Sequence, residues 1–75
     1  MEPWIIKHLQ ELLAIESIVA EDINDHLAAL RDHSLKMVTF LARFAREFGS
    51  APKIMDFLER PCLATLKAAL PATQS

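Results

Sequence analysis

The sequence predicts an all-α fold: a small four-helix bundle, with three longer helices and one short helix, forming a single domain over 1–75. Three observations support this prediction. Apolar residues make up 52% of the 75 residues, and they recur at the three- and four-residue spacing of buried helix faces. Proline falls between these stretches, and the single glycine, Gly49, follows one of them. A chain of this length can bury one small core.

The first helix is predicted over 3–15. Pro3 suits the first turn, where a backbone N–H has no partner within the helix. A wide apolar stripe follows, made of Ile5, Ile6, Leu9, Leu12 and Leu13. Residues 16–33 mix acidic, amide and hydroxyl side chains with apolar ones and show no clean helical period. They are predicted to form a long connection packed onto the bundle, with a helical turn at 25–29.

The second helix is predicted over 34–48. Ser34 is expected to be its N-cap, with the hydroxyl accepting a backbone N–H of the first turn. A buried stripe follows at Met37, Leu41, Phe44 and Phe48. Gly49 suits the left-handed position after a helix. Prolines then introduce a short helix over 52–59 and a last helix over 62–70, and 71–75 are predicted to be a frayed tail.

Composition and charge exclude several classes of function. The net charge is −2, with six acids and one base in 1–25 and seven bases and four acids in 26–75, which is too little positive charge for a nucleic-acid binder. No apolar run reaches the roughly 20 residues of a membrane span, and no signal peptide is visible. The lone Cys62 excludes an internal disulfide and fits a reducing cytosol, so a cytoplasmic location is expected.

Ser34 is the most informative polar residue, because it stands where a helix begins. Free N–H groups and the helix dipole favour a phosphate at such a position. A serine hydrolase is excluded, since no base and acid accompany the serine and no strand precedes it. The histidines and acids show no paired metal-ligand spacing, so neither a metal site nor a catalytic residue is predicted. From these local residues alone, a plain N-cap serine is the simpler interpretation.

The segment His33-Ser34-Leu35, followed by an amphipathic helix that ends at Phe48-Gly49, resembles the modification site of carrier proteins. The likeness is strongest to the peptidyl carrier domains of nonribosomal peptide synthesis, whose pattern is Gly-Gly-(His or Asp)-Ser-Leu. Leucines 27 and 30 stand at family positions before the serine. Residues 57–63 are similar to the family's Leu-Phe-x-x-Pro-Thr-Leu, and 64–70 to its closing helix. Cys62 stands at the position of that threonine, so it is expected to be a small buried thiol rather than a reactive one. The resemblance covers 16–70, with Arg31 and Asp32 in place of the usual glycines.

This resemblance implies an acyl-carrier-protein-like bundle that carries rather than catalyses. It implies that a phosphopantetheinyl transferase attaches 4′-phosphopantetheine from coenzyme A to Ser34, with His33 and Leu35 flanking the site, and that an aminoacyl or acyl group is then carried as a thioester. The expected partners are an adenylation enzyme and a condensation or tailoring enzyme, in antibiotic or siderophore synthesis. A monomer is expected. The family's partner-contacting positions correspond to Leu35, Val38, Ile54 and Leu58.

Two alternatives stay open from the sequence. The first is an acyl carrier protein of polyketide or specialised lipid synthesis. The histidine at position 33 and the bases of the second helix, Lys36, Arg43 and Arg46, count against it, because carriers of fatty acid synthesis are typically acidic there. The second is an unmodified helical interaction or regulatory module, which the high apolar content and the missing glycines support.

Overall fold

The computed structural model describes residues 1–70, which form five α-helices and one turn of 3-10 helix. In chain order these are α1 (Glu2–Leu13), the 3-10 turn (Ala20–Asp22), α2 (Ile23–Leu30), α3 (Ser34–Phe48), α4 (Ile54–Glu59) and α5 (Leu63–Ala68). The predicted small all-α, acyl-carrier-protein-like fold is confirmed. The tail predicted over 71–75 lies outside the described residues.

The core consists of apolar side chains from all five helices. Helix α1 packs against α2 and α3, and α2 also packs against α3 and α5. The buried side chains are Ile5, Leu9, Ile18, Ile23, Leu27, Leu30, Met37, Phe40, Leu41, Phe44, Phe57 and Leu66. In the part of the chain that the structure describes, no polar or charged side chain is buried. The hydrophobic effect on this one cluster therefore holds the helices together.

Trp4 joins α1 to the aromatic side of α3. Its ring lies 5.8 Å from the rings of Phe40 and Phe44 and 5.2 Å from that of Phe48, measured between centroids. The contacts with Phe44 and Phe48 are edge-to-face, the arrangement that the aromatic quadrupole favours. Trp4 therefore anchors the middle and the C-terminal end of α3 to α1.

The main correction to the predicted architecture concerns the connection 16–33, where the structure has the eight-residue helix α2. Ile23, Leu27 and Leu30 occupy one face at spacings of four and three, and all three are buried. Polar side chains on the other face obscure this short pattern in the sequence. A helix of this length is not stable alone, so contacts with α1, α3 and α5 stabilise it.

Helix α3 spans Ser34–Phe48 as predicted, and α1 begins at Glu2, one residue before its predicted start. Four other predicted helix ends move inward by one or two residues. Helix α1 ends at Leu13 rather than 15, because Ala14 takes the left-handed conformation with φ 56°. Helix α4 begins at Ile54 rather than 52, since Lys53 is extended with ψ 150°. Helix α5 spans Leu63–Ala68 rather than 62–70, because Cys62 is also extended. Backbone conformation at Ala14, Lys53 and Cys62 therefore sets three of these ends.

Candidate functional site

Ser34 is the first residue of α3, at the end of a tight turn from α2. The turn is closed by backbone hydrogen bonds: the N–H of His33 donates to the carbonyl of Leu30 over 2.9 Å, and the N–H of Met37 donates to the carbonyl of His33 over 2.9 Å. His33, Ser34 and Leu35 are all exposed. The serine is thus held at a defined point of the surface with solvent around its side chain.

The predicted N-cap role of the Ser34 hydroxyl is wrong. His33 occupies the N-cap position, with φ −129° and ψ 75°, and no side chain caps α3. The reason is that the turn closes on the backbone of His33, which brings Ser34 inside the helix. Within residues 1–70 no hydrogen bond engages the Ser34 hydroxyl. The hydroxyl is therefore accessible for chemistry instead of being used in a cap.

The surroundings of Ser34 suit a phosphate. Met37 is the first residue of α3 whose N–H finds an intrahelical acceptor, so the N–H groups of Ser34, Leu35 and Lys36 precede the hydrogen-bonded ladder. The first turn holds no acid, and the positive end of the helix dipole lies there. A shallow hollow of about 280 Å³, lined by His33, Ser34, Leu35 and Lys36, opens at this point. A phosphodiester on Ser34 would meet donors and positive charge there.

Arg31 and Asp32 do not strain the turn. Arg31 is in the right-handed helical region, with φ −59° and ψ −31°. Over the described range 1–70, only Ala14 and Gly49 have positive φ, so the turn does not need the conformational freedom of glycine. The Arg31 guanidinium donates to the carbonyl of Leu58 over 3.5 Å, which ties the turn to α4.

The four predicted partner-contacting residues divide into two groups. Leu35, Val38 and Ile54 are 84%, 44% and 45% exposed. Leu58 is half-buried and packs against the core. Contiguous exposed apolar side chains, such as Leu35 and Val38 one turn apart on α3, are typical of contact sites for partners.

Sequence reasoning missed two further exposed apolar residues, Met55 and Val19, which are 66% and 59% exposed. The sequence did contain a signal that Met55 is exposed. Phe57 is the one fully buried residue of the short helix α4, and residues two positions apart on a helix do not share a face. Val19 lies in extended backbone before the 3-10 turn, where helical periodicity gives no information.

The contact between α1 and α3 shows which side of α3 is open. The Arg43 guanidinium lies 3.6 Å from the Glu11 carboxylate of α1, so α1 covers that side of α3. At about 100° per residue, Leu35, Val38 and Ala42 lie on a different side, and all three are exposed. The open side of α3 therefore combines an apolar strip with Ser34 at its beginning.

Cys62 differs from its predicted role as a small buried thiol. It is only partly buried, and its Sγ lies 3.6 Å from the Thr65 hydroxyl. The hydrogen bond with the Thr65 side chain, and then that with its backbone N–H, lowers the pKa of the Cys62 thiol below its usual value. The difference arises because Cys62 precedes α5 in extended backbone, at the edge of the core.

Residues 1–70 show no group of three metal-ligating side chains, and no helix among them is long and apolar enough to span a membrane. The fold and the site together define a small helical domain that presents an exposed serine at the start of its longest helix. A family model described as "phosphopantetheine attachment site" matches residues 3–70. The chain belongs to this family. No curated protein and no solved structure matches it. Members of the family carry covalently attached 4′-phosphopantetheine and are generally non-catalytic carriers, modified by a phosphopantetheinyl transferase.

Proposed function

We propose that this protein is a peptidyl or aryl carrier protein of nonribosomal peptide or related natural-product synthesis, with its phosphopantetheine arm on Ser34. The observation that supports this most is the position of Ser34: exposed, uncapped and first in a 15-residue helix, inside the matched range. Ser17 and Ser50, the other serines in that range, do not begin a helix.

The chain's own part in the attachment is to present a nucleophile and then hold a phosphate. The Ser34 hydroxyl forms the new P–O bond to the phosphopantetheine phosphate while the bond to the nucleotide part of coenzyme A breaks, and its proton passes to the transferase. The N–H groups of the first turn of α3 then face the resulting phosphodiester. The arm supplies a terminal thiol that carries acyl groups as thioesters. Within this proposal the chain has no catalytic residue.

His33 and Leu35 flank the attachment point in different ways. The His33 backbone closes the turn through its bonds to Leu30 and Met37, so it fixes the position of Ser34. Its exposed imidazole is free to contact an enzyme. Leu35 is almost fully exposed. We propose that it contacts every enzyme that approaches the point where the phosphopantetheine arm is attached. Val38 and Ile54 extend this contact, and Leu58 adds its half-buried edge.

The proposed partners follow from the carrier role. An adenylation enzyme would load the thiol, and a condensation or tailoring enzyme would use the thioester. The charge of α3 supports a peptidyl or aryl carrier rather than an acyl carrier, because the helix holds Lys36, Arg43 and Arg46 against one acid, Glu47. The lone cysteine supports a reducing, cytoplasmic setting.

The mass of the intact protein tests the attachment. Incubation with coenzyme A and a broad-specificity phosphopantetheinyl transferase is expected to add the mass of one phosphopantetheine group. The variant Ser34→Ala should gain nothing, whereas the matched control Ser17→Ala, which removes another exposed serine, should gain the full group. No gain with several transferases, or an undiminished gain in Ser34→Ala, would contradict the proposal.

The cargo class is tested on the modified protein. Aminoacyl or aryl adenylation enzymes are expected to load it, and loading is read as a second mass increase that a thioester-cleaving thiol reverses. Loading only by malonyl or fatty acyl transferases would assign the chain to acyl carriers of polyketide or lipid synthesis. A protein that is never modified would be a helical interaction module.

A further inference from the structure

We propose that the transferase that modifies Ser34 docks on α3 through an acidic surface, and that Lys36 is the main charged contact. This inference rests on the proposed function and adds the chemistry of the partner. The surface in question, here called the α3 outer face, consists of Leu35, Val38, Ala42 and Arg46, and Lys36 borders it in the first turn of α3; all five are exposed.

Lys36 stands where a lysine does not help its own helix. It is the third residue of α3, and a cation in the first turn opposes the helix dipole. No acid offsets it in that turn. Among residues 1–70 the one salt bridge joins Arg43 to Glu11, so the Lys36 ammonium has no carboxylate partner there. Its charge is therefore available to another molecule.

An enzyme that reaches Ser34 must also cover Lys36. Both residues line the same hollow of about 280 Å³, together with Leu35. Covering Leu35, which is 84% exposed, gains apolar contact. Covering an ammonium group without an opposite charge is unfavourable. An enzyme surface that fits here therefore combines an apolar recess for Leu35 with carboxylates for Lys36.

The distribution of charge over α3 and the rest of the chain also favours a partner with an acidic surface. Arg46 lies eleven residues after Leu35, about three turns further along the same side of α3. The only acid of α3 is Glu47, whereas six of the ten acids of the chain lie in 1–25, before and at the start of α2. An acidic surface would thus be drawn to α3 and repelled from the α1 end, which orients the encounter.

Steady-state kinetics of Ser34 modification test this inference, with a transferase that modifies the wild-type chain. We expect Lys36→Glu to raise the KM for the protein about tenfold or more and to leave kcat within about twofold, as loss of charge complementarity predicts. Lys36→Gln should raise KM less. The matched control Lys67→Glu, an exposed lysine in the last turn of α5, should change KM by less than about twofold.

The dependence of KM on salt concentration distinguishes the charged contact of Lys36 from the apolar contact of Leu35. Raising NaCl from about 50 to about 300 mM should raise the wild-type KM several-fold and have little effect on Lys36→Gln, since screening weakens only the charged contact. Misfolding is not expected to confuse the result, because an acid in the first turn stabilises a helix, and far-ultraviolet circular dichroism checks this. Exchange of a transferase surface acid for lysine should restore modification of Lys36→Glu.

The outcomes distinguish this inference from the function on which it rests. If the wild-type chain is modified and Lys36→Glu shows the same KM as Lys67→Glu, the acidic docking surface is refuted while the carrier function stands. A KM for Lys36→Glu below that of the wild type would also refute the acidic surface, because it would indicate that the docking surface of the transferase is basic. If no transferase modifies the wild-type chain, both proposals fall together.

Discussion

Gly49 shows how one backbone position ends the helix that holds the candidate site. It lies after Phe48 with φ 85°, and its N–H donates to the Ala45 carbonyl. A Cβ at this position would meet no atom within 4 Å. The left-handed backbone conformation, rather than a lack of space, therefore restricts which residue can stand at this position.

We expect Gly49→Ala to lower the free energy of unfolding by about 1–2 kcal/mol, the cost of placing an L-residue in the left-handed region. Urea unfolding followed by circular dichroism measures the change. Gly49→Asn is the control, because asparagine tolerates this conformation better, and it should lose less. Equal stability of Gly49→Ala and the wild type would contradict this account of the helix end.

At Ser34, sequence reasoning predicted the start of α3 correctly but was wrong that the serine hydroxyl caps the helix. A serine before an apolar helical stripe is a good N-cap candidate, and the sequence does not show whether the turn closes at 33 or at 34. The bond from the His33 N–H to the Leu30 carbonyl decides this. That bond depends on where α2 ends, and α2 itself was not predicted as a full helix.

Among the elements, α5 depends on a side chain from another helix. The Asn24 side-chain carbonyl, on α2, accepts a hydrogen bond from the N–H of Leu63 over 2.9 Å. Leu63 is the first residue of α5, and no side chain of its own N-cap, Cys62, caps it. Since a six-residue helix does not form alone, Asn24 and the packing of Leu66 in the core hold α5 in place.

We expect Asn24→Ala to lower the free energy of unfolding by about 1 kcal/mol, as for the loss of an N-cap. Asn24→Asp keeps the acceptor and adds a charge that the N-terminus of α5 favours, so it should be at least as stable as the wild type. Thermal unfolding of the three proteins makes the comparison. If aspartate is as harmful as alanine at this position, the hydrogen bond is not what stabilises α5.

The elements also show which parts of the fold a sequence can predict. Long apolar stripes and clear stop signals made α1 and α3 visible, because each stripe is set by local spacing. Helix α2 has only three buried residues, Ile23, Leu27 and Leu30, and tertiary packing stabilises it. The exposure of Met55 and Val19 likewise depends on how short segments lie against the core, which no local pattern specifies.

For the whole molecule, the core and the proposed site have separate residues. The buried cluster of apolar side chains holds the bundle, while Ser34, Leu35 and Lys36 lie outside it. Substitutions at these three positions should therefore change modification with little effect on folding. This separation fits a protein that several enzymes must approach in turn, through small and transient contacts.

The central claim is that Ser34 carries the arm, and the most direct measurement is fragment-ion mass spectrometry of the modified wild-type protein. The account predicts that the phosphopantetheine mass is found on Ser34 alone, and that Ser17, Ser50 and Ser75 remain unmodified. Phosphopantetheine on any other residue, or a wild-type chain that stays unmodified after treatment with active transferases and coenzyme A, would contradict it.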